Sequence, residues 1–133
     1  MELILTKEEV REYAAGTVEK DAIVGYRSRD ALGDACLKFS PIPIFLDYPV
    51  GYSDNILSVG TEKAVGMVNS VRLLDNGTVM CDATFHSDID IDGIRLGVGT
   101  TCVAGMLGGE FEGIKYDRTF SDIKFKMAEI KKG

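Results

Sequence analysis

The sequence is poor in histidine and cysteine, the residues that most often bind zinc. It contains a single histidine, His86, and three cysteines, Cys36, Cys81 and Cys102. The cysteines lie far apart and no two form a Cys-x-x-Cys pair, so a zinc site is not expected. Free cysteine behaves as a small apolar residue, and we expect all three to be reduced after synthesis in a cytoplasm.

Positive charge and long apolar runs are also scarce. The 15 lysines and arginines are outnumbered by 21 aspartates and glutamates, and the net charge is −6. Binding to phosphate groups needs clustered basic residues, so neither a nucleic acid nor an anionic membrane is an expected partner. No apolar run approaches the roughly 20 residues of a membrane helix, and the first residues lack the basic and apolar regions of a signal peptide.

What is present is the composition of a folded globular domain. Of the 133 residues, 45% are hydrophobic and 27% are charged, which suits one domain with a core over residues 1–133. Thr6-Lys7-Glu8-Glu9 has capping-box spacing and predicts a helix over residues 7–15. A second helix is predicted over residues 28–37, and a brief strand lies between them. We therefore expect a helical N-terminal part, 1–40, before a β core, 41–133.

Strand patterns dominate the second part of the chain. Asp75-Asn76-Gly77 separates two apolar runs, residues 64–74 and 78–85, which predicts a β-hairpin. Further strands are predicted over residues 44–46, 96–106 and 120–130, the last with Ile123, Phe125 and Met127 on one face. No β-α-β alternation is visible, so a parallel sheet is not expected. The predicted fold is α+β and mainly antiparallel, a small barrel or curled sheet of about six strands with two short helices early in the chain.

Three short segments carry a resemblance to a known family. Asp47-Tyr48-Pro49 follows an apolar strand, Leu96–Thr100 lies on a later strand, and Asp122–Ala128 lies on the closing strand. In this order and setting they resemble the phage prohead protease-like family of the herpesvirus-assemblin type. That family tends to carry Asp-His-Pro, then Leu-Ser-x-Gly-Tyr, then Asn-His-x-Ala at these places.

The resemblance implies a protease fold without the protease activity. Tyr48 stands where the family has its first histidine, Gly97 where it has serine, and Met127 where it has the second histidine. A nucleophile and its base are needed together, so the loss of all three removes the mechanism. If the alignment is right, Tyr48, Gly97 and Met127 converge in space.

The function implied by this resemblance is structural. We expect a non-enzymatic phage virion protein without a cofactor, a capsid decoration or cement protein that binds the phage major capsid protein and is made in the bacterial cytoplasm. A homo-oligomer at the capsid symmetry axes is compatible with this role. Apolar residues outside a core mark contact surfaces. The expected capsid contacts are Leu3, Ile4, Leu5, Tyr52, Ile56 and Leu57.

Two alternatives remain open at this stage. One is an active maturation protease that uses Ser58 or Cys102 as nucleophile and His86 as base, although only one histidine is present. The other is a head-assembly factor that acts inside the capsid. An internal scaffold is usually long, helical and highly charged, whereas this sequence is compact and rich in strands.

An acidic run provides the one candidate metal site. Asp88, Asp90 and Asp92, followed by Gly93, match the first six positions of an EF-hand calcium loop. The twelfth position is Gly99 rather than glutamate, so at most a weak, open calcium site is predicted. The alternative is a solvated acidic turn in which the isoleucines between the aspartates point inward.

Overall fold

A computed structural model describes residues 1–13, 23–46, 64–86 and 89–132 of the chain. Within these ranges it contains one helix, α1, and ten strands. The elements in chain order are β1 (Glu2–Lys7), β2 (Glu9–Tyr13), β3 (Ile23–Arg27), α1 (Arg29–Leu37), β4 (Ile42–Phe45), β5 (Gly66–Leu73), β6 (Thr78–Phe85), β7 (Ile94–Gly105), β8 (Gly109–Phe111), β9 (Ile114–Tyr116) and β10 (Arg118–Lys132).

Eight of the strands form one sheet that nearly closes into a barrel. The strand order is β1-β6-β5-β4-β10-β3-β2, and β7 pairs with β10 along its length. The Cα atoms of β1 and β7 come within 8 Å of each other, so the two ends of the sheet meet without forming a ladder in the described residues. The strands β8 and β9 form a separate hairpin. The predicted small, mainly β barrel-like sheet is confirmed at this level.

The sheet is not wholly antiparallel, because β10 runs parallel to two of its neighbours. It pairs with β3 at Arg118–Phe120 and with β4 at Ala128–Glu129. Because β7 pairs with β10 at both of these segments, β3 and β4 lie along the same edge of β10, the one away from β7. The helix α1 therefore connects two strands that run in the same direction. The expectation of no parallel pairing was wrong for these two short segments, because the strand with which both pair comes last in the sequence.

The core lies between α1 and the inner face of the sheet. Leu32 and Ala35 on α1 are buried against side chains from the central strands, including Ile44, Val68 and Ile123. The helix begins where the sequence predicts, because the Ser28 hydroxyl oxygen accepts a hydrogen bond from the Ala31 backbone N–H at 3.1 Å. No helix in the described ranges is long and apolar enough to cross a membrane.

The predicted helix over residues 7–15 was wrong. Residues 9–13 form β2, which pairs with β3, and residues 2–7 form β1, which pairs with β6. Thr6, the expected helix cap, is buried instead, and its hydroxyl oxygen accepts a hydrogen bond from the Arg27 guanidinium. Pairing with distant strands outweighs a short local helix signal, because an isolated helix of nine residues is marginal. Among the described residues of the N-terminal 40, three strands therefore belong to the sheet and α1 is the one helix.

The predicted hairpin is confirmed. The strands β5 and β6 pair from Gly66 opposite Phe85 to Leu73 opposite Val79. Gly77 in the connecting turn has a φ of +85°, a conformation that glycine adopts without steric cost. The Gly77 carbonyl also accepts a hydrogen bond from the Glu8 backbone N–H at 2.9 Å. The turn therefore fixes the start of β2 as well as joining its own two strands.

Irregularities in β10 change which face its side chains occupy. The pairing with β7 shifts register between Phe125 and Met127. A bulge adds one residue to one strand, so the alternation of faces reverses after it. Phe125, Ala128 and Ile130 belong to the core, whereas Met127 is fully buried but lies outside that core cluster. The prediction that Met127 shares a face with Ile123 and Phe125 was therefore wrong.

Candidate functional site

The structure places Gly97 and Met127 close together on paired strands. Gly97 on β7 lies opposite Glu129 on β10, and Met127 lies opposite Gly99. Diagonal neighbours of this kind are about 7–8 Å apart in an antiparallel pair. Two of the three positions matched to the protease family are therefore neighbours. Tyr48 lies outside the described residues.

These two positions provide no nucleophile and no base. Gly97 has no side chain, and the thioether of Met127 neither attacks an ester as a nucleophile nor accepts a proton at neutral pH. The side chain of Lys131 lies over Gly97, since a Cβ added to Gly97 would stand 2.7 Å from the Lys131 Cε atom. The space above Gly97 is therefore occupied by the stem of a lysine.

The single histidine lies on another strand pair. His86 directly follows β6, which pairs with β1 and β5 but not with β7. Its imidazole Nε2–H donates a hydrogen bond to the Ala64 carbonyl at 3.1 Å, and its backbone N–H donates to the Val65 carbonyl. Cys102, by contrast, is exposed on β7. The structure does not bring Cys102 and His86 onto neighbouring strands, and Ser58 lies outside the described residues.

An open cavity of about 390 Å³ lies beside His86. It is formed where β5 begins and β6 ends, and a hydrogen bond from the Asn69 amide to the Thr84 hydroxyl joins those two strands beside it. Gly66 keeps the two strands close, because an added Cβ would stand 2.3 Å from the Thr84 carbonyl oxygen. The lining residues are Ala64, Gly66, Met67, Asn69, Thr84, Phe85 and His86. His86 and Asn69 are hydrogen-bonded within the protein rather than left to a ligand.

A second cavity, of about 290 Å³, is lined in part by Gly97 and Lys131 and lies where β1 meets β7. We call it the basic cleft. Its charged lining residues are Lys7, Glu9, Arg11, Arg95 and Lys131. Only Glu9 is acidic, and it lies 3.9 Å from Arg11. Sequence reasoning missed this cleft because its cations come from four strands and form no run in the sequence.

The expected capsid contacts have different environments. Leu5 is buried in the core and Leu3 packs against it, because both point inward from β1. Leu5 is therefore part of the protein's own core, and Leu3 is partly buried against it. Ile4 points outward and is 58% exposed. Tyr52, Ile56 and Leu57 lie outside the described residues.

Another exposed apolar surface extends from the end of β7 to β9. Four large apolar side chains there are at least half exposed, and we call them the β7–β9 patch: Val103, Met106, Leu107 and Ile114. Polar contacts hold the backbone of this region in place, since the Thr119 hydroxyl donates to the Leu107 carbonyl at 2.7 Å. Exposed apolar side chains grouped in this way mark an interaction surface.

Aromatic stacking attaches the β8–β9 hairpin to the sheet. The ring of Tyr26 on β3 lies 4.9 Å, centroid to centroid, from both Phe111 and Tyr116. The Tyr26 hydroxyl donates a hydrogen bond to the Glu8 carboxylate. Burial and the neighbouring Glu8 raise the pKa of Tyr26 well above its usual range, so this donor keeps its proton. The hairpin therefore presents the β7–β9 patch from a fixed position.

The acidic run forms a turn rather than a metal cage. Ile89 and Ile91 pack against the core, and Asp90 and Asp92 between them are exposed. The Asp92 backbone N–H donates to the Asp90 carboxylate at 3.1 Å. Asp88 lies outside the described residues. In the part of the chain that the structure describes, no three or more His, Cys, Asp or Glu side chains are grouped to hold a metal ion.

Comparison with known proteins identified no relative of this chain. A scan against protein-family models and searches of curated proteins and of solved structures found no match to this chain.

Proposed function

We propose that this protein is a non-enzymatic phage virion protein that decorates the capsid by binding the major capsid protein. In this proposal it has the prohead protease-like fold in a catalytically degenerate form, and it resides in the mature virion. It needs no cofactor, because its task is to bind and stabilise a repeated protein surface.

One observation carries the proposal. Gly97 and Met127 match the serine and a histidine of the protease family, and they are neighbours on β7 and β10. A serine and a histidine that act together must lie close in the same way. In place of a nucleophile and a base there are a glycine covered by Lys131 and a buried thioether. A fold that keeps the arrangement of the site but has lost its chemistry is suited to binding.

The β7–β9 patch supplies the contact surface in this proposal. Val103 is 56% exposed and Met106 is 80% exposed, although both are apolar. Burying such side chains against a partner contributes about 25 cal/mol for each Å² of apolar surface removed from water. Icosahedral symmetry repeats the same site across the capsid, so one modest interface is used many times.

Binding to capsids tests the proposal directly. The protein is mixed with heads assembled from the major capsid protein of the same phage and then sedimented. We expect it to sediment with the heads and to saturate at a fixed ratio to the major capsid protein, with extra density on the head surface by electron microscopy. The protein remaining in the supernatant at every ratio would overturn the proposal.

Variants of the patch locate the interface. Met106→Asp combined with Leu107→Asp places two charges in the β7–β9 patch and is expected to weaken head binding at least about tenfold. Leu46→Asp is the matched control, because Leu46 is 46% exposed directly after β4, and β4 pairs with β10 at Ala128–Glu129, at the other end of that strand from Ser121, which lies opposite Val103. Equal loss of binding in both variants would show that the patch is not the contact.

Protease activity is tested with the same protein. The alternative of an active maturation protease requires labelling by an active-serine probe or specific cleavage of capsid and scaffold proteins. We expect neither from the wild-type chain. Labelling that disappears in Ser58→Ala or in Cys102→Ala would favour the protease.

A further inference from the structure

The basic cleft concentrates positive charge in a protein that is acidic overall. Lys7 from β1, Arg95 from β7 and Lys131 from β10 line one cavity of about 290 Å³, although the net charge of the chain is −6. No described residue forms an ion pair with any of these three side chains. Like charges that converge on a cleft repel each other and attract an anionic group from outside.

The backbone of β7 contributes to this arrangement. Gly97 lies at the floor of the cleft, and the Lys131 side chain crosses it, with Nζ 3.2 Å from where a Cβ would stand. Any larger residue at position 97 would displace that lysine. On the rim, Ile4 offers an exposed apolar side chain next to the charges.

The acidic turn has the complementary character. We use this name for residues Ile89–Asp92. Its two isoleucines are anchored on the core, which directs Asp90 and Asp92 outward. Neither aspartate forms an ion pair within the described ranges. The turn is therefore a fixed pair of carboxylates without a cation of its own.

The two features are neighbours on the molecular surface. Asp92 precedes Arg95 by three positions, and Arg95 lies opposite Lys131 on β10. If a two-fold axis passes between the two patches, rotation about it places the acidic turn of a second copy opposite the basic cleft of the first. In such an isologous arrangement, each turn faces the cleft of the other copy.

We propose that the protein forms a two-fold symmetric dimer in which the acidic turn of each copy enters the basic cleft of the other. The cleft is at the small end of binding cavities, so it suits one or two carboxylate side chains rather than a large anion. Exposed ion pairs are individually weak and are screened by salt. The dimer is therefore salt-sensitive.

Sedimentation velocity at several protein concentrations and two salt concentrations tests the wild-type chain. We expect dimers at low ionic strength and a dissociation constant at least about tenfold higher near 0.5 M salt, where the Debye length falls well below that at physiological ionic strength. A wild-type chain that stays monomeric at all concentrations would overturn the proposal. If that monomer loses head binding when Arg95 and Lys131 are reversed, the cleft receives an acidic segment of the capsid protein instead.

Charge exchange provides the decisive control. The first variant carries Arg95→Glu with Lys131→Glu, and the second carries Asp90→Lys with Asp92→Lys. All four side chains are exposed, so both variants are expected to fold, which circular dichroism checks. Each variant alone is expected to be monomeric, because cleft and turn then have the same sign.

Mixing the two variants is expected to restore dimers. One contact then joins an unaltered turn to an unaltered cleft, and the other joins a basic turn to an acidic cleft. Recovery in the mixture would distinguish this pairing from a general effect of net charge. A mixture that remains monomeric, or single variants that still form dimers, would count against the proposal. Neither result depends on capsid binding.

Discussion

The two halves of strand β7 lie in opposite environments. In the first half, Ile94 and Leu96 are buried in the barrel core. In the second half, Val103 is exposed, and the side chains that follow it along the chain, Met106 and Leu107, are exposed as well. Both halves pair with β10.

The difference lies in what covers each half. The first half has β1 beside it, and the barrel core and the basic cleft adjoin it. Along the second half, the described part of the chain provides no strand on the edge opposite to β10. An uncharged strand with a free edge is a ready contact for another chain. An apolar run therefore builds the core at one end of β7 and offers a binding surface at the other.

The largest effect is expected when the free energies of unfolding of two truncation variants within β7 are compared. Leu96→Ala removes a side chain that is only 9% exposed and should lower the free energy of unfolding by about 2–4 kcal/mol. Val103→Ala removes an exposed side chain and should change it by less than about 0.5 kcal/mol. Chemical denaturation of both variants measures the difference. Equal losses would mean that the second half of β7 is also covered.

Cysteine modification sharpens the same contrast. Cys102 is exposed on the second half of β7, whereas Cys81 on β6 is buried. Loss of solvation raises the pKa of both thiols, and that of Cys81 rises to about 11. Only an accessible thiolate reacts, so alkylation near pH 8 should be at least about tenfold faster at Cys102. Cys102→Ser removes the fast phase and Cys81→Ser leaves it unchanged. A fast phase that survives Cys102→Ser would place the reactive thiol elsewhere.

A serine in place of Gly97 tests whether the first half of β7 tolerates the residue of the active proteases. The added Cβ would meet the flexible end of Lys131, which can move aside, so Gly97→Ser should cost less than about 1 kcal/mol of stability. Gly105→Ser in the second half is the control, since its nearest contact is at 3.5 Å. We expect no reaction of Gly97→Ser with an active-serine probe. Labelling of the introduced hydroxyl in that variant would show that a base acts beside position 97.

The smallest expected effect is the pH dependence of one surface contact near the second half of β7. Lys38 donates a hydrogen bond to Asp122 in β10 at 2.6 Å and lowers the pKa of that carboxyl. Its stabilisation is therefore present above the ordinary aspartate pKa, about 4, and is lost as pH falls through the lowered value.

Comparison of the wild type with Asp122→Asn in thermal unfolding isolates that contact. Asn suits the positive φ of 49° at this position as well as Asp does, so the backbone is not strained by the change. We expect a small difference in melting temperature at neutral pH that disappears in acid. A difference that persists in acid would show that the charge is not its cause.

Much of the β core could be predicted from the sequence because its signals are local. Asn76-Gly77 places the β5–β6 hairpin, Ser28 starts α1, and alternating residues identify β10. The strands β1 and β2 were missed, because their stability comes from partner strands outside the local sequence window. For β1 the partner is β6, over 70 residues further along the chain. Local propensity cannot report a pairing of that kind.

The sequence by itself determined that this protein has the composition for a small β-rich core and that the matched protease positions hold no serine and no histidine. Only the tertiary structure decided where Gly97 and Met127 lie relative to each other, which half of β7 is exposed, and that Lys7, Arg95 and Lys131 line one cleft. The physical reason is that turn, capping and strand preferences act between near neighbours in sequence, whereas the pairing of strands joins residues far apart. A site is made by groups that the closure of the sheet brings together.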